Sequence, residues 1–286
     1  MRCFISLLPE GLAVWLRGAY HRMRAHSQPT PTLAIDVFDG FHIAYRKGTS
    51  DEDALRHSFG RDIFFTGVPE YVPGPHDTII DVGAHIGTFS LLAASRVPFG
   101  LVYAIEACQE SFNLLRINAA LNQMAHIDAS HLALSDQSAT CMLHYDSGNW
   151  GHTIVRPILG QGESVTSESL PRFLASKGIA RCHFLKLNCE GAEFRILLNT
   201  PPEILQRFMI ILVLYHCDIC PEYSEQHLLA HFQASGFTTT VRNRTTSRGW
   251  IVAVNPGFDR YSQATLGTET ALGGRRWTGD RTVRRK

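Results

Sequence analysis

The segment Thr78-Ile79-Ile80-Asp81-Val82-Gly83-Ala84-His85-Ile86-Gly87-Thr88-Phe89 carries the densest chemical signal in the chain. An apolar run suited to a buried strand ends in an acid. Two glycines follow, four positions apart, and a helix-like stretch opens at Thr88. Strand, turn and helix in that order make a cradle. Glycine lets a ligand approach the backbone, and the helix N-terminus offers unpaired N–H groups and a partial positive charge. A dinucleotide cradle has three glycines, as G-x-G-x-x-G, so that the backbone can reach a pyrophosphate. Here the spacing is D-x-G-x-x-x-G, without a middle glycine, which argues against a dinucleotide. Gly83 is read as the close-approach position and Gly87 as the position where helix and strand pack. Asp81 can answer a ligand ammonium, directly or through water. A purely structural tight turn is the plain alternative.

Open parallel sheets bind ligands at the carboxyl ends of their strands. The residues after each strand-like run are therefore the next candidates. Glu106 lies nineteen positions past Gly87 and can accept two ribose hydroxyls, or can simply be a solvated acid at a helix start. Ser135-Asp136 can hydrogen-bond an adenine edge, or form a polar turn. The string Lys186-Leu187-Asn188-Cys189-Glu190-Gly191-Ala192-Glu193 brings a lysine, an amide and two acids off one strand. Glu190 and Asn188 can face a reacting centre, whereas Glu193 reads as helix N-terminal charge. After the fifth run comes Tyr215-His216, and a histidine is a natural base for a hydroxyl proton near neutral pH. The loop Asp146-Ser147-Gly148-Asn149-Trp150-Gly151-His152 can close over a ligand, with Trp150 stacking on a sugar face, or can be a surface turn. Cys217 and Cys220 form one C-x-x-C without a second pair, so no metal site is expected.

These residues need a scaffold. Leu33–Phe38 and Phe41–Tyr45 flank Asp39-Gly40, a hairpin signal, and Thr49–Asp53 can cap the helix that follows. From Asp77 strand-like runs (Thr78–Val82, Leu101–Ile105, Ile127–Leu134, His183–Leu187, Met209–Tyr215) alternate with helix-like ones (Thr88–Ser95, Gln109–Asn122, Glu168–Lys177, Gly191–Leu198, Ser224–Ser235). That pattern predicts an α/β fold: a doubly wound, mostly parallel Rossmann-like sheet with helices on both faces. Phe237–Val241 and Trp250–Val254 close it as a C-terminal antiparallel hairpin.

Residues 1–30 read as an amphipathic helix, with Leu8, Leu12, Trp15 and Leu16 at helical spacing, followed by a Ser27–Pro31 linker. The helix packs on the domain or rests on a membrane surface. Residues 31–256 form the main domain, and 257–286 a basic tail expected to be poorly ordered. A net charge of +1 gives no reason to expect nucleic-acid binding. Seven scattered cysteines are not a disulfide framework; they read as reduced thiols in a cytoplasmic protein. No apolar run is long enough for a membrane span, and the early Pro9-Glu10 stops a signal-peptide core. Oligomeric state is not legible.

The D-x-G-x-x-x-G spacing looks like the first motif of class I S-adenosylmethionine-dependent methyltransferases. Over roughly residues 33–255 the chain resembles the FkbM-type family of these enzymes. The specific piece is Leu185–Glu193, which is similar to that family's K-I-D-V-E-G-A-E string. The resemblance implies S-adenosyl-L-methionine held by Asp81, Gly83, His85, Gly87, Glu106, Ser135 and Asp136. It implies O-methylation of a hydroxyl on a sugar, a natural product or a lipid-linked glycan. His216 would act as base, Glu190 and Asn188 would orient the hydroxyl, and Lys186 and Trp150 would contact the acceptor. Three positions depart from the family pattern: His85 stands for an Asn, Asn188 for an Asp, and Leu214 for a Glu. The two lost carboxylates weaken any divalent-metal site there. They also leave room for a rival, a decayed methyltransferase fold that only binds a partner. A nicotinamide-dependent oxidoreductase is the other rival.

Overall fold

The computed structural model describes residues 31–146, 151–157 and 161–260. The amino-terminal helix expected over 1–30, Trp150 and the tail beyond Arg260 lie outside them.

The chain opens with the hairpin β1 (Thr32–Phe38) and β2 (Phe41–Lys47). Asp39 and Gly40 both have positive φ at its turn, as the Asp-Gly pair requires. A short helix α1 (Asp51–Leu55) runs into a π-helical turn over Arg56–Gly60, and α2 (Ile63–Thr66) follows. The cap at α1 comes from within the expected stretch Thr49–Asp53. The Ser50 side chain makes no capping bond; the Thr49 hydroxyl accepts from Asp51 N–H at 3.2 Å.

The main sheet has seven strands: β3 (Thr78–Val82), β4 (Leu101–Glu106), β5 (Ile127–His131), β9 (Cys182–Leu187), β10 (Phe208–His216), β11 (Thr238–Arg242) and β12 (Arg248–Val254). Their order is β11-β12-β10-β9-β3-β4-β5. The five strands from β10 to β5 are parallel; β12 runs antiparallel to both β10 and β11, which is the expected closing hairpin. Winding proceeds outward from β3 in one direction and resumes at β9 in the other. The switch point therefore falls between the carboxyl ends of β3 and β9.

Alternate residues of the buried strands feed two cores. Ile80, Leu185 and Ile211 face α5 (Leu170–Ser176), α6 (Ala192–Leu198) and α8 (Glu225–Ala234). Ile79, Phe184 and Leu212 face Phe64, Phe65 and Phe89, the last on α3 (Thr88–Arg96). Helix α4 (Gln109–Leu121) supports the hairpin: the Asn118 amide accepts from Ala44 N–H at 2.7 Å and donates to the carbonyls of Ala44 and Ile86. One side chain thus joins hairpin, helix and glycine turn.

Two expected elements are recast. The run 127–134 is not one strand. It breaks at Leu132 into β5 and a short β6 (Ala133–Ser135), and β6 joins a separate three-stranded sheet with β7 (Ala139–His144) and β8 (Gly162–Ser169) in the order β6-β8-β7. Glu168 consequently belongs to β8 rather than to the helix expected from it. At the far end, Arg260 belongs to the ordered domain, not to a loose tail: it donates to the Val72 carbonyl at 2.8 Å and pairs with the buried Asp77. The remaining short helix, α7 (Pro202–Leu205), leads into β10. No helix among the described residues is long and apolar enough to cross a membrane. The six described cysteines are free thiols.

Candidate active site

A cavity of about 350 Å³ opens at the switch point. Its walls bring together the glycine turn, the end of β4, the loop after β9, the end of β10 and the start of β12.

The turn after β3 is held from several sides. Gly83 has φ +73°, and a Cβ there would lie 1.9 Å from the Asn188 carbonyl oxygen. The glycine is thus demanded first by close passage of the β9 loop. Gly87, at φ +85°, caps α3; a Cβ there would lie 3.0 Å from Leu115 Cγ on α4, so this glycine serves helix–helix packing and does not line the cavity. Thr88 and Phe89, the first residues of α3, do line it. Their N–H groups have no partner within the helix and suit a carboxylate.

Asp81 is placed differently from the sequence expectation. Its carboxylate is fully buried, 2.7 Å from Lys186 Nζ, and accepts from the Ser90 hydroxyl at 2.6 Å. It stands behind the turn and not on the cavity wall. Lys186 also donates to the Gly83 carbonyl at 3.1 Å and lies over the rings of Phe64 and Phe89. Both charges are thereby committed to each other. Asp81 is a brace rather than an ammonium partner, and Lys186, although it borders the cavity, is a clamp on the glycine turn rather than an acceptor contact.

Glu106 ends β4 on the cavity wall. One carboxylate oxygen accepts from His85 N–H at 2.7 Å and the other from Cys108 N–H at 2.8 Å. These bonds orient the group and leave further lone pairs for a pair of hydroxyls. His85 has φ +54°, and its imidazole lies 3.1 Å from Asp51, which the buried Arg46 also grips through two bonds of 2.9 Å. His85 and Arg46 together overcome the burial that would raise the Asp51 carboxyl, and hold it well below the usual range. His85 therefore ties the turn to the hairpin and steadies Glu106 through its backbone.

Ser135 and Asp136 do not reach the cavity. Ser135, the last residue of β6, donates to Asp136 at 2.9 Å. Because the main sheet's strand ends at His131, the wall at that height is built by Leu132, Ala133 and Leu134. It is apolar and suits the face of an aromatic base.

At the other end stand three groups. Asn188 is hydrogen-bonded through its N–H to the Val82 carbonyl at 3.1 Å and lines the wall. Glu190, at φ +50° and 3% exposed, is held by the Thr153 hydroxyl donating to its carbonyl at 2.7 Å. Its Oε1 is buried without a hydrogen-bond partner among the described residues. Burial pushes this carboxyl up to about 7, against the opposing pull of His216. His216 ends β10, 5% exposed. Its Nδ1 is 3.0 Å from Glu193 Oε1 and its Nε2 is 3.5 Å from Glu190 Oε1. Burial pushes the imidazole down, but the Glu193 carboxylate outweighs it and leaves His216 above its ordinary value. Glu193 is fully buried and accepts from the N–H groups of Cys189 and Gly191, each at 2.8 Å. It does serve the start of α6, as expected, but it is also the carboxylate behind His216.

Two more residues join the site: Trp250, which the sequence marked only as part of a strand, and His152, the last residue of the loop read as able to close over a ligand. Trp250, on β12, pairs in register with Leu214 and stacks on Phe64 at 6.0 Å, so that aromatic and aliphatic groups form one apolar wall. His152 also lines the cavity; burial lowers it, but Asp146 and Cys108 prevail and lift it to about 9. No cluster of His, Cys, Asp or Glu able to hold a metal ion occurs among the described residues.

The FkbM methyltransferase domain matches residues 81–237, more than half of the chain. The chain belongs to the FkbM methyltransferase family. It is 32% identical over 185 residues to the 31-O-demethyl-FK506 methyltransferase FkbM of Streptomyces tacrolimicus, covering 54% of this chain and 66% of that protein. It is also similar to a crystal structure of methyltransferase FkbM from Methylobacillus flagellatus, at 12% identity and a TM-score of 0.46, over 66% of this chain and 46% of that one. A third similarity is to M. jannaschii TYW2 solved in complex with AdoMet, at 14% identity and a TM-score of 0.41, over 79% of this chain and 87% of that one. The chain spans less than two thirds of the length of the two FkbM relatives. The matched domain is that of a methyltransferase family, which speaks against the nicotinamide reading and keeps S-adenosylmethionine as the expected cofactor. The donor set fits that cofactor. Glu106 presents free lone pairs to hydroxyls, Leu132–Leu134 an apolar wall to a base, and the α3 N-terminus two N–H groups to a carboxylate.

Proposed function

We propose that this FkbM domain methylates a hydroxyl oxygen on a sugar or a similar hydroxylated ring. Bound S-adenosylmethionine supplies the electrophilic methyl group. The protein has two remaining tasks, to position the acceptor and to take its proton. The observation that carries the reading is the buried Glu193–His216 pair opening onto the cavity shared with Glu106. An ionised Glu193 can only accept, so His216 carries its proton on Nδ1 and turns the bare Nε2 lone pair to the cavity. A hydroxyl donating to Nε2 gains nucleophilic character as its proton leaves. Asn188 and Glu190 stand on the same wall and can orient that hydroxyl. Leu214 and Trp250 give the ring an apolar surface. The name of the Streptomyces relative, a methyltransferase of an O-demethylated compound, agrees with an oxygen acceptor.

The test incubates the purified chain with S-adenosylmethionine and a panel of methyl glycosides, cyclitols and polyketide alcohols. Methylated product is read by mass spectrometry. Turnover of an alcohol that is lost in His216→Ala, with S-adenosylhomocysteine affinity kept, is the expected result. Cofactor binding without turnover of any acceptor, or methylation at nitrogen or carbon only, overturns the reading.

A further inference from the structure

A second cleft, of about 390 Å³, lies between the β1–β2 hairpin and the turn formed by α1 and the π-helical segment. Phe38, Tyr45, Leu55 and Phe59 line it, with the acids Asp39 and Glu52 beside them. We infer that this cleft seats the amino-terminal segment of the same chain, with Leu12, Trp15 and Leu16 in the groove, and that the seated segment props the cofactor cavity from behind.

Three observations select this occupant. The first is pattern. Leu12, Trp15, Leu16, Ala19 and Met23 recur at helical spacing and give residues 1–30, which lie outside the described residues, an apolar stripe in need of a partner. The cleft supplies an apolar surface that begins one strand away in the chain. The second is reach. From Thr32 to Phe38 strand β1 covers about 20 Å, at about 3.4 Å per residue. A helix rising about 1.5 Å per residue runs back over the same length in about 14 residues. Counted back from the Ser27–Pro31 linker, that distance ends at Ala13, between Leu12 and Trp15. A helix laid antiparallel to β1 therefore sets its largest apolar residues over the cleft at Phe38. The third is charge. Residues 1–30 carry Arg2, Arg17, Arg22 and Arg24 against the single acid Glu10. Around the cleft stand Asp36, Asp39, Glu52 and Asp53 against Lys47 and Arg56. In the same alignment Arg17 comes abreast of Asp36, whose side chain is half exposed.

The position of the cleft gives the contact a purpose. Leu55, Arg56 and Phe59 face the cleft, whereas Ala54, His57 and Ser58 of the same turn line the cofactor cavity. The turn is thus a partition one helix thick. It is weak by itself: α1 has only five residues and no side-chain cap, and the π-helical stretch that continues it is a strained form used in short pieces. Its inner face reaches the cofactor end of the site, because the Ser58 hydroxyl donates to Thr88 Oγ1 at 2.9 Å and Thr88 opens α3. Packing an apolar segment on the outer face holds the partition closed and steadies the α3 N-terminus.

The test uses the full chain. Hydrogen exchange, read by mass spectrometry, is compared between wild type and the double variant Leu12→Asp, Trp15→Asp. Exchange over residues 51–60 is expected to quicken about 10-fold or more in the variant, with β3, β4 and β9 unchanged. S-adenosylhomocysteine affinity should weaken by about 3- to 10-fold in calorimetry, as the partition loosens. The conservative pair Leu12→Met, Trp15→Phe should leave both readings near wild type. Equal exchange over 51–60 in wild type and the Asp variant overturns the inference, as does unchanged affinity. Two other occupants are read alongside. Sedimentation of the chain with phosphatidylglycerol–phosphatidylcholine vesicles, abolished in the Asp variant while exchange over 51–60 stays the same, assigns the segment to a membrane and overturns the inference. A dimer in light scattering that the Asp variant splits, with protection of 51–60 that falls on dilution, assigns the cleft to a second copy and overturns it too.

Discussion

Glu193→Gln changes one oxygen for an amide at a position where every partner is a donor. In the native protein Oε1 receives Cys189 N–H and faces His216 Nδ1, while Oε2 receives Gly191 N–H. The glutamine has two ways to sit. With its oxygen at the Oε1 position it keeps the first two partners but turns an NH2 against Gly191 N–H. Flipped, it satisfies Gly191 but turns the NH2 toward Nδ1, which forces the imidazole proton onto Nε2 and destroys the base. One seating removes the charge and strains the backbone; the other also inverts the tautomer. A unit charge pair 3.0 Å apart interacts by about 5 kcal/mol at an effective permittivity of about 20. A general base contributes about 10²- to 10⁴-fold, which is about 3–5 kcal/mol of barrier. The two figures are of one size, so kcat is expected to fall by about 10²- to 10⁴-fold.

The pH profile separates this account from simple misfolding. The proposed base is neutral His216, so wild-type kcat is expected to rise with pH through the His216 transition. Glu193 raises that transition above the ordinary histidine value. Without the carboxylate the opposing effect, burial, prevails, and the acid limb must move to lower pH in the variant. The assays are kcat against pH from 5 to 9, S-adenosylhomocysteine affinity by calorimetry, and thermal melting. Unchanged affinity with a low, acid-shifted profile is expected. A variant within threefold of wild-type kcat, or a profile with the same inflection, refutes the role given to Glu193.

Glu106→Gln keeps the shape of the ribose wall but sets an NH2 against His85 or Cys108 N–H; S-adenosylhomocysteine affinity should fall about 10- to 100-fold by calorimetry, with little change in fold by circular dichroism. Gly83→Ala forces a Cβ to within 1.9 Å of the Asn188 oxygen at φ +73°, so the β9 loop must shift, and a loss of several degrees in melting temperature together with weaker cofactor binding is expected. Asp51 is held below the usual carboxylate range, and its stabilising effect is therefore present at neutral pH and lost as pH falls through the acid range. Asp51→Asn should lower neutral-pH stability by about 3–5 kcal/mol in denaturant titrations, because Arg46 is left buried beside a neutral group, and should flatten the acid limb of stability against pH. Glu190 is shifted the other way, from 4.5 up to about 7; its destabilising effect grows as pH rises from the ordinary carboxylate range to about 7 and is complete above it, so Glu190→Gln should gain more melting temperature at pH 8 than at pH 5.

The parts of the fold written in backbone terms were legible. Gly83 and Gly87 announce a turn with positive φ, Asp39-Gly40 a tight hairpin, and the alternating apolar runs a parallel sheet, because each signal is local. The break at Leu132 was not legible. Ile127–Leu134 reads as one run, and only pairing shows that β5 belongs to one sheet and β6 to another. That single break moved Ser135 and Asp136 off the cavity wall. Asp81 and Lys186 misled for a related reason. Both sit at strand ends where ligands bind, but β3 and β9 are adjacent in parallel register, so the two charges find each other before any ligand can. Glu193 and Trp250 depend on partners that sequence does not place. His216 meets Glu193 because β10 lies beside β9 and the loop beyond β9 folds over its end, and Trp250 joins the wall through antiparallel pairing with Leu214.

The departures from the family pattern take on a meaning in this geometry. Leu214 replaces an expected carboxylate on the same face of β10 as His216, and it sits half-buried in the cluster that holds Trp250 and Phe64. A carboxylate at that position would be partly desolvated against two aromatic rings. Leucine instead extends the apolar wall by one residue. Asn188 likewise withdraws a charge from a pocket that already confines Glu190 and Glu193 within reach of one imidazole. A third carboxylate there would push Glu190 still further toward its neutral form. The substitutions thus divide the pocket into an apolar floor and one polar corner. That division suits the proposed hydroxylated acceptor and leaves His216 and its two acids as the groups that the proposed transfer would use.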